Sequence, residues 1–425
     1  MKPKISALCF GLAAILTHVA AWPAGLGHDV DSLIDYARRN NPEYAAMRLE
    51  AEAAGERVYP AGALPDPMLR TELQNVTNYN METGNAGGLN LLPGRVGSTK
   101  YTFLQPLPYW GKRDLKRDAA QAEAEAAQGR AGATWAELAA RIKTAYAQYF
   151  YVAHGERLTR EVLGLVERLE KTAQVRYASG LTPQQDAIRA QVEQTRLRAE
   201  LVALEAEKRQ LVARLNGLLS RPASAPLAEP AALRPLPPPA RLDPAALAER
   251  LAAANPQLRT EDARLRAAQK SRALTYRNRY PDFTLGVTPI QTRNRFNEWD
   301  LMLELNLPLQ QESRRAQERE AEAMLGAARA RRDAAANQAL SELDAQLAGL
   351  EAARRTETLL GANLLPQAEL TFQSALAAYE TGRVDFATLL DAQQEISRAR
   401  QARLKAQAEA QMRLAEIERL LGEDL

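Results

Sequence analysis

The chain has 425 residues, 46% of them hydrophobic but only 6% aromatic, with 55 Lys+Arg against 52 Asp+Glu and a net charge of +3. So small a net charge excludes wholesale phosphate-backbone binding, and no nucleic-acid partner is expected. One cysteine and three histidines exclude a disulfide framework, a cysteine-built zinc or iron–sulfur site and a His-rich centre, so no cofactor and no resident metal are expected.

The first element, 1–21, reads as an export signal. Lys2 and Lys4 precede an apolar run from Ile5 to Val19, and Val19-Ala20-Ala21 supplies small residues for cleavage. The run is too short to span a bilayer as a helix, and Cys9 would leave with it. No later stretch reaches 18 uninterrupted apolar residues, which leaves short alternating strands as the remaining route into a membrane.

From residue 22 onward the chain repeats itself. Asn41-Pro42, Pro65-Asp66, Leu107-Pro108 and Tyr177-Ala178-Ser179-Gly180 recur in order as Asn255-Pro256, Pro281-Asp282, Leu307-Pro308 and Tyr379-Glu380-Thr381-Gly382. The first repeat, 22–220, has helical periodicity over 31–58, 113–178 and 183–220, with strands at about 67–77 and 97–107. A connector, 221–242, carries seven prolines. The second repeat, 243–425, has helices over 243–276, 312–381 and 385–422 and strands at about 282–291 and 298–308. In each repeat the two shorter helices together match the long one, which suggests two short helices stacked end to end beside it. Leu201, Leu204, Lys208, Leu211, Leu215 and Leu218 step by three and four, as coiled-coil packing requires, and Ala-rich flanks allow close approach. Pro366 is expected to kink the long second helix or cost it a hydrogen bond.

The strands alternate. Leu69, Thr71 and Leu73 interleave with Arg70, Glu72 and Gln74, and Trp299, Leu301, Leu303, Leu305 and Leu307 interleave with Asp300, Glu304 and Asn306. Soluble hairpins packed on helices would show the same period, but an export signal without a transmembrane helix favours a membrane barrel. Two hairpins cannot close one. Open edges in lipid leave backbone groups unpaired, so copies must lend strands, and three copies supply twelve. The Gly/Asn-rich segment 78–95 and the segment 293–297 would be loops at one rim.

These residues resemble the TolC family of outer-membrane ducts across essentially the whole mature chain. Tyr177-Ala178-Ser179-Gly180-Leu181 through Asp186, and Tyr379-Glu380-Thr381-Gly382 through Leu389-Leu390-Asp391-Ala392, carry the likeness. Leu64-Pro65-Asp66-Pro67 and Gln105-Pro106-Leu107-Pro108-Tyr109-Trp110-Gly111-Lys112-Arg113 look like the heavy-metal efflux branch. The resemblance implies a mainly α fold with a membrane β part, built from a duplicated helix-strand-strand-helix-helix unit. It implies a homotrimer with a twelve-stranded barrel in outer-membrane lipid and an α-barrel in the periplasm. The implied function is passive conduction, with an inner-membrane RND pump and a periplasmic adaptor as partners. No catalytic residues are expected, because no P-loop, nucleophile elbow or dinucleotide fingerprint is present and the Glu/Asp pairs fit no hydrolase.

The helix tips would form the periplasmic entrance, where a ring of like charges acts as gate and cation filter. Asp391 falls on one acidic position of the family; the other is Thr388 here, with Asp385 a partial substitute. Asp186 corresponds to an acid that hydrogen-bonds the tyrosine matching Tyr379, a latch between hairpins with Arg383 as an ionic partner. The competing reading is that acids in first helical turns merely suit the dipole. Gly180 and Gly382 read as turn formers, and with Leu181 they mark where an adaptor would dock. Met68, Met81 and Met302 suit soft metals but lie apart in sequence, so no metal site is assigned. Tyr146, Tyr149, Phe150, Tyr151 and His154 read as packing. Drug efflux, type I secretion and a non-channel periplasmic coiled-coil scaffold are the alternatives.

Overall fold

The computed structural model describes residues 26–77 and 87–425. The export signal at 1–21, Met81 and residues 78–86 of the first rim loop lie outside the described residues. The helices are α1 Val30–Asn40, α2 Pro42–Glu56, α3 Val58–Gly62, α4 Lys112–Ala178, α5 Gln184–Leu218, α6 Pro244–Ala254, α7 Pro256–Arg277, α8 Gln311–Leu359, α9 Leu365–Glu380 and α10 Phe386–Leu421. The strands are β1 Met68–Gln74, β2 Ser98–Leu107, β3 Asp282–Thr292 and β4 Arg295–Asn306. They form one antiparallel sheet in the order β1-β2-β3-β4.

The segments 31–58 and 243–276, read from sequence as single helices, are each broken. The cause is the Asn-Pro pair, because a residue before proline is pushed out of the helical region: Asn41 has ψ 120° and Asn255 has ψ 121°. Each Asn then caps the helix that follows, Asn41 Oδ1 accepting from Tyr44 N at 3.0 Å and Asn255 Oδ1 from Leu258 N at 2.8 Å. Each also bolts that helix to the end of another. Asn41 Nδ2 donates to the Leu218 carbonyl at 2.9 Å, and Asn255 Nδ2 to the Leu420 carbonyl at 2.7 Å. So α5 abuts α2 and α10 abuts α7, the end-to-end stacking that the helix lengths suggest.

Helix α4 is the spine, with α2 and α7 beside its upper half and α5 and α10 beside its lower half. The helices lie side by side in the order α2-α4-α7-α8 near the sheet and α5-α4-α10-α9 near the tips. Among the described residues four separate cores run along this layer rather than one central one, the smallest of them Ala51, Ala127 and Ala131. The tip core holds Val166, Ala190, Tyr379, Phe386 and Leu389; the middle cores hold Leu33, Ile142, Tyr149 and Leu215, and Leu247, Leu343, Leu350 and Ile417. Each such leucine or aromatic contributes about 1.5–3 kcal/mol by burial. A buried ion cluster ties the repeats together across the middle. Lys143 Nζ lies 2.6 Å from Glu418 Oε2, Arg234 reaches the same oxygen at 2.9 Å, and Asp424 also pairs with Lys143.

Pro366 does not break its helix. Residues Leu360–Leu364 form a π turn in which Leu365 N donates to the Leu360 carbonyl, and helical structure continues through the proline. That bond reaches back five residues instead of four, so the helix widens by one residue just before the proline, which is then accommodated in the first turn of α9.

Candidate functional site

Register in the sheet sets its two faces. Leu69 pairs with Phe103, Phe103 with Val287 and Val287 with Leu301, so one apolar row crosses all four strands on a single face. Leu285 pairs with Leu303 and Phe283 with Leu305 on the same face. These side chains are exposed, Leu301 at 85% and Leu69 at 70%, an arrangement water would penalise and lipid would not. The opposite face is polar: Glu72 pairs with Lys100, Thr288 with Asp300 and Thr284 with Glu304. Lys100 Nζ reaches Asp300 Oδ2 at 3.4 Å, and Thr288 Oγ1 donates to Thr102 Oγ1 at 2.9 Å. Met68 and Met302 sit on this face at the two edges of the sheet, separated by Leu104 and Gly286. Among the described residues no group of His, Cys, Asp and Glu could hold a metal, and no helix is long and apolar enough to cross a membrane.

At the other end, both hairpin tips turn in the same way. Leu181 N donates to the Arg176 carbonyl and Gly180 N to that of Tyr177; Arg383 N and Gly382 N repeat this with Ala378 and Tyr379. The glycines take φ 68° and 74°, the left-handed geometry this motif requires. Beyond the turn the repeats diverge. Tyr379 is 2% exposed whereas its counterpart Tyr177 is 47% exposed. Tyr379 packs edge-on against Phe386 at 5.6 Å, and the guanidinium of Arg176 covers its ring. Arg176 Nη1 also donates to the Glu380 carbonyl, joining the first hairpin to the second.

Asp186 and Tyr379 are brought together, but the expected hydrogen bond between them is not formed. Among the described residues the buried Tyr379 hydroxyl makes no hydrogen bond of good geometry, with Thr182 the nearest hydrogen-bonding neighbour acting on it. Burial pushes its ionisation up, the charge of Asp186 adds to this, and Arg176 opposes it. Asp186 is itself buried, which raises its carboxyl, as does Asp385; Arg189 and Arg176 pull it back. Asp385 acts as an N-cap: its Oδ1 accepts from Thr388 N at 2.9 Å and Thr388 Oγ1 at 2.6 Å, which holds its carboxyl below the usual range. Asp391 is exposed one turn further along α10. Arg383 is exposed and makes no ion pair with Asp186 or any other described residue; the cations whose charge acts on Asp186 are Arg189 and Arg176. Leu181 is exposed at 66% beside Gly180. Arg176 was missed by motif reasoning, yet it carried a signal: aligning the duplicated tips sets it against Ala378, a cation with no counterpart.

The family model described as outer membrane efflux protein matches residues 33–221 and 247–423. Comparison with curated protein sequences gives no match. Among solved structures, the chain resembles a membrane protein from Pseudomonas aeruginosa at 22% identity and TM-score 0.77, over 93% of this chain and 90% of that one. It is similar to CusC at 18% identity and TM-score 0.78, over 95% and 96%. It is also similar to the outer membrane protein VceC of Vibrio cholerae at 17% identity and TM-score 0.76, over 93% and 96%. With both repeats matched by one model, the chain belongs to the outer membrane efflux protein family.

Proposed function

We propose that three copies of this chain close into a duct that conducts heavy-metal cations passively across the outer membrane. The carrying observation is that every layer is open on the same two sides. Strands β1 and β4 are the sheet edges, α2 and α8 bound the upper helical layer, and α5 and α9 bound the lower one. One side of a protomer therefore fits the other side of the next, a head-to-tail contact that closes into a ring. Open sheet edges in hydrocarbon would cost several kcal/mol per unpaired backbone group.

In such a ring the polar sheet face lines the lumen. Glu72, Glu298, Asp300 and Glu304 on that face outnumber Arg70 and Lys100, an excess of acid that favours cations. The tips, with Gly180, Leu181 and Gly382, would meet a periplasmic adaptor and an inner-membrane RND pump, which supply energy and choose the substrate. Asp391 supplies the acidic ring of the entrance; Asp385 caps α10, and Arg176 over Tyr379 braces the two tips together.

Detergent extraction of a trimer from outer membranes, with cation-selective conductance in planar bilayers, is the expected result. Full recovery from the soluble periplasm would overturn the duct. Asp391→Ala is expected to reduce cation preference. A deletion strain is expected to become sensitive to at least one of copper, silver, zinc, cobalt or cadmium; sensitivity only to organic drugs would move the substrate to drug efflux.

A further inference from the structure

The apolar sheet face ends, at the junction with the helices, in a cavity of about 510 Å³ walled by Leu107, Trp110, Phe283, Leu285 and Leu303 and rimmed by Arg113 and by Asp114, whose charge is taken by Arg117. It lies against β2 and β3 and reaches Leu303 on the edge strand β4, and these walls stand on the apolar face of the sheet, the face that a closed ring would turn to lipid. Trp110 is 75% exposed, with its ring 5.8 Å from Phe283 and 5.4 Å from Tyr109, and Tyr109 stacks on Tyr280 at 4.5 Å. Such an aromatic group suits the depth at which headgroups meet acyl chains.

The charges at this level divide into two sets. Lys112, Arg117, Arg279 and Arg315 are paired, with Asp282, Asp114, Glu318 and Glu312. Arg113, Lys116 and Arg277 form no ion pair among the described residues. Arg113 spends only its Nε, on the Gly62 carbonyl at 2.9 Å. The Arg277 guanidinium lies beside Gly111, which lines the cavity, its Nη2 about 3.4 Å from where a Cβ on that glycine would stand. The helix dipole does not explain Arg113 and Lys116, since positive charge in the first turns of α4 opposes it, although it favours Arg277 in the last turn of α7.

We propose that this cavity binds an anionic phospholipid of the inner leaflet, its phosphate between Arg113 and Arg277 and an acyl chain along Leu285 and Leu303. Guanidinium forks match phosphate oxygens, and the apolar wall continues the lipid-facing rows without a step. The proposal rests on the membrane reading of the sheet, and its test is separable from that reading.

The full chain, extracted in detergent, is titrated with phosphatidylglycerol or phosphatidylcholine carrying brominated acyl chains, and tryptophan quenching is read. Phosphatidylglycerol is expected to quench at about tenfold lower concentration. The quenched component should be missing in Trp110→Phe. The preference should collapse in Arg113→Gln/Arg277→Gln and be largely kept in Arg113→Lys/Arg277→Lys, with trimer yield and helicity confirming that each variant folds. Equal quenching by the two lipids in wild type, or an undiminished preference in the Gln pair, would overturn the site while leaving the duct intact. Inorganic phosphate competing as well as phosphatidylglycerol would reduce it to a free-anion site and overturn it too. A protein that never enters detergent-extracted membranes would instead overturn the duct.

Discussion

The Arg176 guanidinium lies 5.1 Å from the centre of the Tyr379 ring, and its Nη1 donates to the Glu380 carbonyl at 2.9 Å. This is a cross-brace between two hairpins of one chain, at the end where an entrance would be. A cation over an aromatic face contributes about 0.5–2 kcal/mol and a hydrogen bond about 1 kcal/mol. Arg176→Ala is therefore expected to raise amide exchange around Tyr379 and Phe386 about tenfold or more. Exchange equal to wild type would show that the brace carries no load.

Asp186 gives the tip a pH dependence whose sign is set by burial. Its carboxyl is raised, so the folded state holds the proton more tightly than the unfolded chain. That stability is complete below the ordinary carboxylate range and is lost as pH rises through the raised value. Asp186→Asn, which stays neutral, is expected to melt above wild type at neutral pH, with the difference closing on acidification. A difference independent of pH would refute the assignment.

Helices α4 and α7 cross at Gly129. A Cβ there would overlap Thr260 Oγ1 and lie 3.1 Å from the Thr260 Cα and N, backbone atoms that cannot swing aside. Alanine gains about 1 kcal/mol of helix propensity, but overpacking costs about 1–3 kcal/mol, so Gly129→Ala should lower the melting temperature. Gly155 on the same helix meets nothing within 4 Å, and Gly155→Ala should raise it. Calorimetry of the two variants side by side checks both signs.

Lys143 is buried against Glu418, with Arg234 as the remaining partner. Lys143→Met leaves Arg234 as the one cation against both Glu418 and Asp424, and removing one member of a buried pair costs about 3 kcal/mol. Denaturant unfolding of this variant should give a lower midpoint, and Lys143→Met/Glu418→Leu should recover part of it.

The sheet faces predict opposite tolerances at adjacent residues. Leu301→Arg places charge in lipid and should lower trimer yield, a penalty of about 2–4 kcal/mol per chain near the bilayer midplane. Asp300→Arg, one residue away on the polar face, should assemble normally and shift conductance away from cations. Equal effects on assembly would contradict the register.

Much of this was legible in one dimension. The alternation of Trp299 to Leu307 marks a two-faced strand, and the recurrence of Asn-Pro marks the repeat, because both signals are local. What the Asn-Pro pairs do was not legible, since the carbonyls of Leu218 and Leu420 that they bind lie 177 and 165 residues away. At the tip, Asp385 has the spacing of an N-cap three residues before Thr388, and the structure forms that cap. The brace at Arg176 escaped because a cation over a ring leaves no spacing pattern; only the broken symmetry against Ala378 hints at it.

The π turn at Leu360–Leu364 has a consequence for length variation. One surplus residue rotates everything below it by roughly a quarter turn relative to an unbroken α-helix. Ala368, Phe372, Ala375 and Tyr379 thus reach α10 only because of that offset. Deleting a single residue there would leave the upper half and the sheet in place while swinging this stripe away from its partner. The protein should consequently tolerate substitutions in that turn far better than a one-codon loss.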